Sequence, residues 1–174
     1  MATDALHDVL AKQAITETLY RLCRGIDRAD RELVAQAFHP GATADFGYKF
    51  EGTAAKMLDW LTGRHEHNHF SCHLATNVLI ELDGDRALSE CFMFTGLRND
   101  VDGKLVDILS FGRYLDRWSC REERWAIDHR VYVEEFRNVI DVVPGPFTDT
   151  SHNRSRADRT DPIYALLAAF GAPL

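Results

Sequence analysis

The sequence predicts an α+β fold. Two observations carry the prediction: the first third of the chain shows helical spacing of apolar residues, and the rest holds four strand-like runs separated by hairpin-type turns. Helices that come first, instead of alternating with strands, argue for an antiparallel meander and against a βαβ arrangement. At 174 residues the length is that of one domain. Residues 1–140 read as that domain and residues 141–174 as a C-terminal extension.

Each element follows in order. Residues 4–24 read as an amphipathic helix, with Leu6, Val9, Leu10, Ala14, Leu19, Leu22 and Cys23 at helical spacing. Gly25 in "RGIDRAD" reads as its break. Asp30 is the expected N-cap of a second helix, "RELVAQAF", which stops at "HPGA". "TADFG" reads as a short strand, and "GTAAKMLDWLTGR" as a third helix with Thr53 as cap and Gly63 near its end. The strands are "HLATNVLIEL", "ALSECFMFTGLR", "LVDILSFGRYLDRW" and "WAIDHRVYVEEF", joined by "DGDR", "NDVDGK" and the polar break "SCREER". In the first of them His73, Ala75, Asn77 and Leu79 are expected on one face, and Leu74, Thr76, Val78 and Ile80 on the other. Both faces are mostly apolar, so a cover on each is expected: the helices on one, and further copies of the chain in a homodimer or homotrimer on the other. The tail "DVVPGPFTDTSHNRSRADRTDP" reads as a polar loop, and "IYALLAAFG" as a short helix that docks on the domain, at a pocket mouth or on a neighbour.

Composition narrows the function classes. The net charge is −7 and no run of Lys or Arg forms a basic face, so neither nucleic acid nor an anionic membrane is an expected partner. No export signal is read at the N-terminus, and no apolar run approaches the roughly 20 residues of a membrane span. Cys23, Cys72, Cys91 and Cys120 are widely spaced without a CxxC, which fits free thiols in a cytoplasmic protein. No GxGxxG, P-loop or GxSxG occurs, so neither a bound nucleotide nor serine nucleophile chemistry is expected, and no cofactor is called for.

Four side chains are candidates for chemistry. His73 opens a strand, where its ring can face a cavity, and a free imidazole titrates near ~6.5. A histidine base works best when a carboxylate fixes its tautomer, and Asp27 in "GID" is the candidate partner. Read without chemistry, Asp27 is a turn or cap and His73 a strand-start residue bonded to backbone. Arg130 is expected to share a face with Ala126, Asp128, Tyr132 and Glu134. It can hold an anionic group or simply pair with Asp128, Glu134 or Asp107. Tyr20 lies one heptad before Asp27, where it can assist or fill the core; Tyr48, Tyr114 and Tyr132 are weaker cases of the same kind. The run "HEHNHFSCH" places His65, His67, His69, Cys72 and His73 at spacings that can suit zinc, but it lacks HExxH or a paired CxxC and reads as a loop, so no metal is expected.

"RGIDRADRELVAQAFHPGATADF", "CHLATNVLIELDGDRA" and "RYLDRWSCREERWAIDHRVYVEEF" together resemble the SnoaL-like branch of the nuclear transport factor 2-like superfamily, over about residues 5–137. That branch includes lindane dehydrochlorinase, scytalone dehydratase, bile acid dehydratases and polyketide cyclases. The resemblance implies a cone-shaped α+β barrel, in which three N-terminal helices pack on a strongly curved, mostly antiparallel sheet around a pocket. It carries the family's histidine–aspartate dyad to His73 and Asp27, its pocket arginine to Arg130, five residues after Trp125, and a first-helix tyrosine to Tyr20. The activity it implies is that of a cofactor-independent lyase or isomerase, acting on an apolar ring compound such as a steroid, polyketide or aromatic. Leu79, Phe92, Met93, Phe94, Ile108 and Phe111 are the apolar candidates for lining the pocket. The other reading is a non-catalytic small-molecule-binding module, or an accessory β-subunit of a ring-hydroxylating dioxygenase.

Overall fold

In the computed structural model, residues 2–62, 68–143 and 153–172 are described. Helix α1 spans Ala2–Asp27 and does not break at Gly25. Its buried stripe Ala11, Ile15, Leu19, Leu22, Cys23, Ile26 keeps helical spacing straight past the glycine. Gly25 instead makes room for a neighbour. A Cβ there would lie 2.8 Å from Val34 Cγ2 and 3.0 Å from the Val34 nitrogen, so the missing side chain lets the next helix pack directly. Leu6, Val9 and Leu10, read as part of the apolar face, are exposed.

Asp30 caps α2 (Arg31–Gln36) by accepting from the Leu33 N–H at 3.1 Å. The chain then runs directly into β1 (Phe38–Asp45), which takes in both Phe38, expected as the end of the second helix, and the "HPGA" read as its stop. A short 3-10 turn, Gly47–Lys49, leads to β2 (Glu51–Thr53) and α3 (Ala54–Thr62), where the Thr53 hydroxyl accepts from the Lys56 N–H at 3.4 Å. The expected stop at Gly63 lies outside the described residues.

The four long strands are β3 (Asn68–Asp83), β4 (Arg86–Val101), β5 (Lys104–Arg121) and β6 (Arg124–Asp141). They form the expected antiparallel meander. Their tight turns include Asp102–Gly103 and Glu122–Glu123, whose residues all have positive φ, as a type I′ hairpin requires. The sheet order is β2-β1-β6-β5-β4-β3, so β1 and β6 are neighbours, and they run parallel. The result is a curled, mixed, unclosed six-stranded sheet with helices packed against its inner face.

Two irregularities decide which side chains point inward. In β3 the register shifts between Thr76 and Leu79, with Asn77 at φ 52°. The expected alternation is therefore reversed beyond this point: Ala75, Val78, Ile80 and Leu82 pack on the core, while Leu79 is 68% exposed. In β6 the pairing steps from Trp118↔Ile127 to Arg117↔His129, leaving Asp128 on a bulge. Trp125, Ile127 and Arg130 are therefore all buried, and Asp128 turns away to pair with Arg121 and not Arg130.

Helix α4 (Pro162–Phe170) is capped by Asp161 at its start and by Gly171, at φ 73°, at its end. It docks at the corner between α1 and α2: the Tyr164 hydroxyl donates to Asp30 at 2.8 Å, and Arg28 pairs with Asp161 at 3.1 Å. Leu166 and Phe170 remain exposed. Among the described residues no helix is long and apolar enough to cross a membrane.

Candidate active site

Asp27 is the last residue of α1, and its carboxylate reaches across to the start of β3. Oδ1 accepts from the His73 Nδ1 at 2.7 Å and from the Ser71 hydroxyl at 3.0 Å; Oδ2 accepts from the His73 backbone N–H at 3.0 Å. A carboxylate at Nδ1 places the ring proton there and leaves the lone pair on Nε2. Each of the two side chains is 12% exposed. Nε2 has no partner among the described residues, and His73 lines a cavity of about 110 Å3 together with Met57, Ile108, Ser110, Arg130 and Tyr132.

Arg130 also reaches this cavity, but its charge is already met. Nε and Nη2 donate to the two oxygens of Asp116, each at 2.7 Å, and the guanidinium carbon lies 3.7 Å from the centroid of the Tyr114 ring. Burial works against its charge, but the Asp116 carboxylate outweighs this and holds the guanidinium protonated well above its ordinary range. The partners read for it from sequence are engaged elsewhere: Asp107 with Arg98, Glu134 with Lys49 and Arg137. Arg130 and Asp116 thus form a buried, neutral floor.

Tyr20 is not part of this site. It is 53% exposed and lies on a surface groove with Tyr164 and Leu167. Seven helical residues span about 10.5 Å, too far for it to join Asp27 in one contact, and Tyr20 lies one step off the buried Leu19 stripe. The tyrosines that line the cavity are Tyr114 and Tyr132; the Tyr132 hydroxyl is 3.1 Å from that of Ser110, and burial pushes its phenol up, so it stays protonated. Tyr48 is exposed, and Tyr114 is buried beneath Arg130.

Of the apolar candidates, Ile108 lines the cavity and Met93 is core. Leu79, Phe92 and Phe111 are exposed, and Phe94, Phe111 and Phe136 stack in a row with centroids 4.8 and 4.5 Å apart. His65 and His67 lie outside the described residues; His69 bonds Asp100 at 2.7 Å on the surface. Cys23, close to the site, is pushed up to about 12 by burial, which rules out a resting thiolate there.

Sequence reasoning missed Asp116, Ser71, Ser110, Lys49 and Arg137 as parts of this neighbourhood. Ser71 had a signal, since it stands two residues before His73 and so on its strand face. Two larger hollows, of about 680 and 760 Å3, open around Pro40 and Gly41. In the first of these His39 is locked between the Ser119 carbonyl and Arg124, and among the described residues it has no carboxylate partner like that of His73.

Helices laid on a curled sheet around an inward-facing cavity define the nuclear transport factor 2-like class. The chain belongs to the SnoaL-like domain family, whose family model matches residues 7–131. Among solved structures it is similar to a scytalone dehydratase-like protein from Novosphingobium aromaticivorans DSM 12444, with 16% identity and a TM-score of 0.69 over 87% of this chain and 100% of that one. It is also similar to a type 3 hexachlorocyclohexane dehydrochlorinase from Novosphingobium barchaimii LL02, with 15% identity and a TM-score of 0.64 over 83% and 100% of the two chains. A nuclear transport factor 2-like superfamily protein from Salmonella enterica serovar Typhimurium gives 19% identity and a TM-score of 0.63 over 82% and 99%. At these identities the likeness is one of fold. No curated protein sequence matches the chain.

Proposed function

We propose that the chain is a cofactor-independent lyase or isomerase in which His73 removes a proton from carbon. The observation that carries this reading is the 2.7 Å contact between His73 Nδ1 and Asp27, with Nε2 left to a cavity. Nε2 takes the proton, and Asp27 stabilises the imidazolium that forms. The electron pair of the broken C–H bond becomes a double bond. In a dehydration the C–O bond breaks, and the hydroxyl leaves as water with the proton returned from Nε2. In an isomerisation Nε2 returns the proton at another carbon. Tyr132, protonated and at the cavity wall, is the group that can donate a hydrogen bond to the oxygen involved, in place of Tyr20.

The cavity of about 110 Å3 narrows the substrate. Sites for drug-sized ligands start at roughly 300 Å3, so a single-ring compound fits this reading better than a steroid or a polyketide. The decisive experiment incubates single-ring hydroxy and keto compounds with the protein in D2O and follows loss of the C–H signal by NMR. Exchange or turnover that disappears in His73→Asn supports the reading; exchange that survives it overturns the role of His73. Binding without exchange in any compound returns the chain to the binding-module reading. The proposal extends to assembly: copies of the chain in a homodimer or homotrimer cover the apolar row Phe94, Phe111, Phe136. A monomer in sedimentation analysis would overturn that part.

A further inference from the structure

The cavity is electrically lopsided. His73, paired with Asp27, stands on β3 at one edge of the sheet, whereas Lys49 precedes β2 at the other edge and pairs with Glu134, which Arg137 of the same β6 strand also reaches. Lys49 comes from the 3-10 turn between β1 and β2, and its side chain is only 12% exposed, which is low for a lysine. Its ammonium pairs with Glu134 Oε2 and lies 5.7 Å from the centroid of the Tyr132 ring. Arg137 reaches the same Glu134 oxygen at 3.3 Å. Lys49, Arg137 and His73 all line the one cavity.

The charges at this end do not balance. Among the described residues the two cations share a single carboxylate, which leaves one positive charge over. Arg130 adds nothing to the surplus, because Asp116 neutralises it. Glu134 does not alter the count by taking a proton: the hydrogen bond from Lys49, against some burial, holds its carboxyl below the usual range. A lysine and an arginine still have N–H donors to offer once each has bonded Glu134. The surplus and the donors match a singly charged, planar acceptor; a phosphate would bring more charge than one site cation offsets.

We propose that Lys49 and Arg137 form the receptor for a carboxylate on the ligand of this cavity, so that the substrate is a single-ring carboxylic acid. Calling that ligand a substrate rests on the proton-abstraction reading above; the carboxylate receptor does not. Held by its carboxylate at the Lys49 end, a ring extends toward Nε2 of His73 across the cavity. The same cations then lie where negative charge spreads as the proton leaves.

The test measures binding of benzoate and of its neutral counterpart benzamide by NMR titration of the protein, with folding of each variant checked by circular dichroism. Benzoate is expected to bind about tenfold or more tighter than benzamide, and its advantage to shrink with added salt. Lys49→Met and Arg137→Met are each expected to remove most of that advantage, weakening benzoate far more than benzamide. Glu134→Gln, which deletes the competing carboxylate, is expected to tighten benzoate, a change of sign that a damaged fold cannot imitate. Equal binding of the two probes, no benzoate binding, or indifference to all three substitutions overturns the proposal. Carboxylate binding without deuterium exchange would sink the chemistry and keep the receptor; exchange on neutral rings without a carboxylate preference would do the reverse.

Discussion

The ring of Tyr132 lies where a side chain on Gly112 would have to be. A Cβ at Gly112 would sit 2.5 Å from Tyr132 Cε2, 2.6 Å from its hydroxyl and 2.5 Å from the Val133 carbonyl oxygen. Gly112→Ala is therefore expected to push the Tyr132 ring off Ser110 and reshape the cavity wall. Overpacking of this kind costs about 1–3 kcal/mol. Urea denaturation checks that figure, and the probe titrations check the cavity. A variant with unchanged stability and unchanged binding would show that the strand simply shifts.

Asp27 grips His73 at the ring and at the backbone, and the two grips can be separated by mutation. Asp27→Asn keeps a hydrogen-bonding group of the same size but removes the charge that stabilises an imidazolium. Turnover is expected to fall by about a hundred- to ten-thousandfold while the fold persists. Asp27→Ala also deletes the acceptor of the His73 N–H and Ser71 hydroxyl, so a loss of melting temperature beyond that of the asparagine variant is expected. Equal turnover in wild type and Asp27→Asn would remove Asp27 from the chemistry.

Arg130 and Asp116 are buried together, at 1% and 0% side-chain exposure. Removing one partner leaves an uncompensated buried charge, at a cost of about 3–5 kcal/mol. Arg130→Met and Asp116→Asn are each expected to show a loss of that order in chemical denaturation. The double variant Arg130→Met/Asp116→Asn is expected to lose less than the sum, because neither charge remains. Additive losses would mean the two residues act independently.

The docking of α4 should depend on pH at both ends of the scale. Burial disfavours the Asp30 carboxylate, but the Leu33 N–H, the Tyr164 hydroxyl and Arg159 outweigh it and hold the carboxyl below its usual range. Asp161 is likewise held down, against burial, by the N–H groups of Arg156 and Ile163 and by Arg28. A depressed carboxyl stabilises the folded state above its unfolded value, near ~4, and that contribution fades as pH falls through the folded value. Tyr164 is shifted the other way, to about 12, by burial and by its bond to Asp30. Its contribution is complete below the unfolded value near ~10 and is lost as pH rises toward the folded one. Hydrogen exchange across residues 153–172 should show protection of α4 falling at both extremes, and Tyr164→Phe should abolish the alkaline arm. Flat protection at high pH would show that the Tyr164–Asp30 bond contributes little.

What could be read from the sequence was local. The Asp30 cap and the Asp102–Gly103 hairpin depend on neighbours within a few residues, so their signals survive without the fold. Gly25 misled because a glycine that breaks a helix and one that admits another helix look the same in one dimension. The partner of Arg130 was missed for a countable reason. From the Glu122–Glu123 turn the register runs Arg121↔Arg124 to Trp118↔Ile127, which without a bulge would set Asp116 opposite His129. The extra residue, Asp128, moves Arg130 into that place, and nothing in the alternation of "WAIDHRVYVEEF" announces it. Lys49 and Arg137 escaped because each looks like an ordinary solvated cation until the sheet curls.

The parallel pairing of β1 with β6 also sets a timetable. Thr43 and His129 touch at 2.7 Å although 86 residues separate them. A chain made from its N-terminus produces α1, α2 and β1 long before the strand that β1 must join. The meander can assemble hairpin by hairpin, but β1 gains its β6 partner only when the last long strand arrives, and such non-local closure is slow. Arg130 and Tyr132 arrive on that same strand, so the cavity comes into being only when β6 joins. Until then β1 has an unpaired edge, which makes this interval the one in which a nascent chain most needs protection from its neighbours.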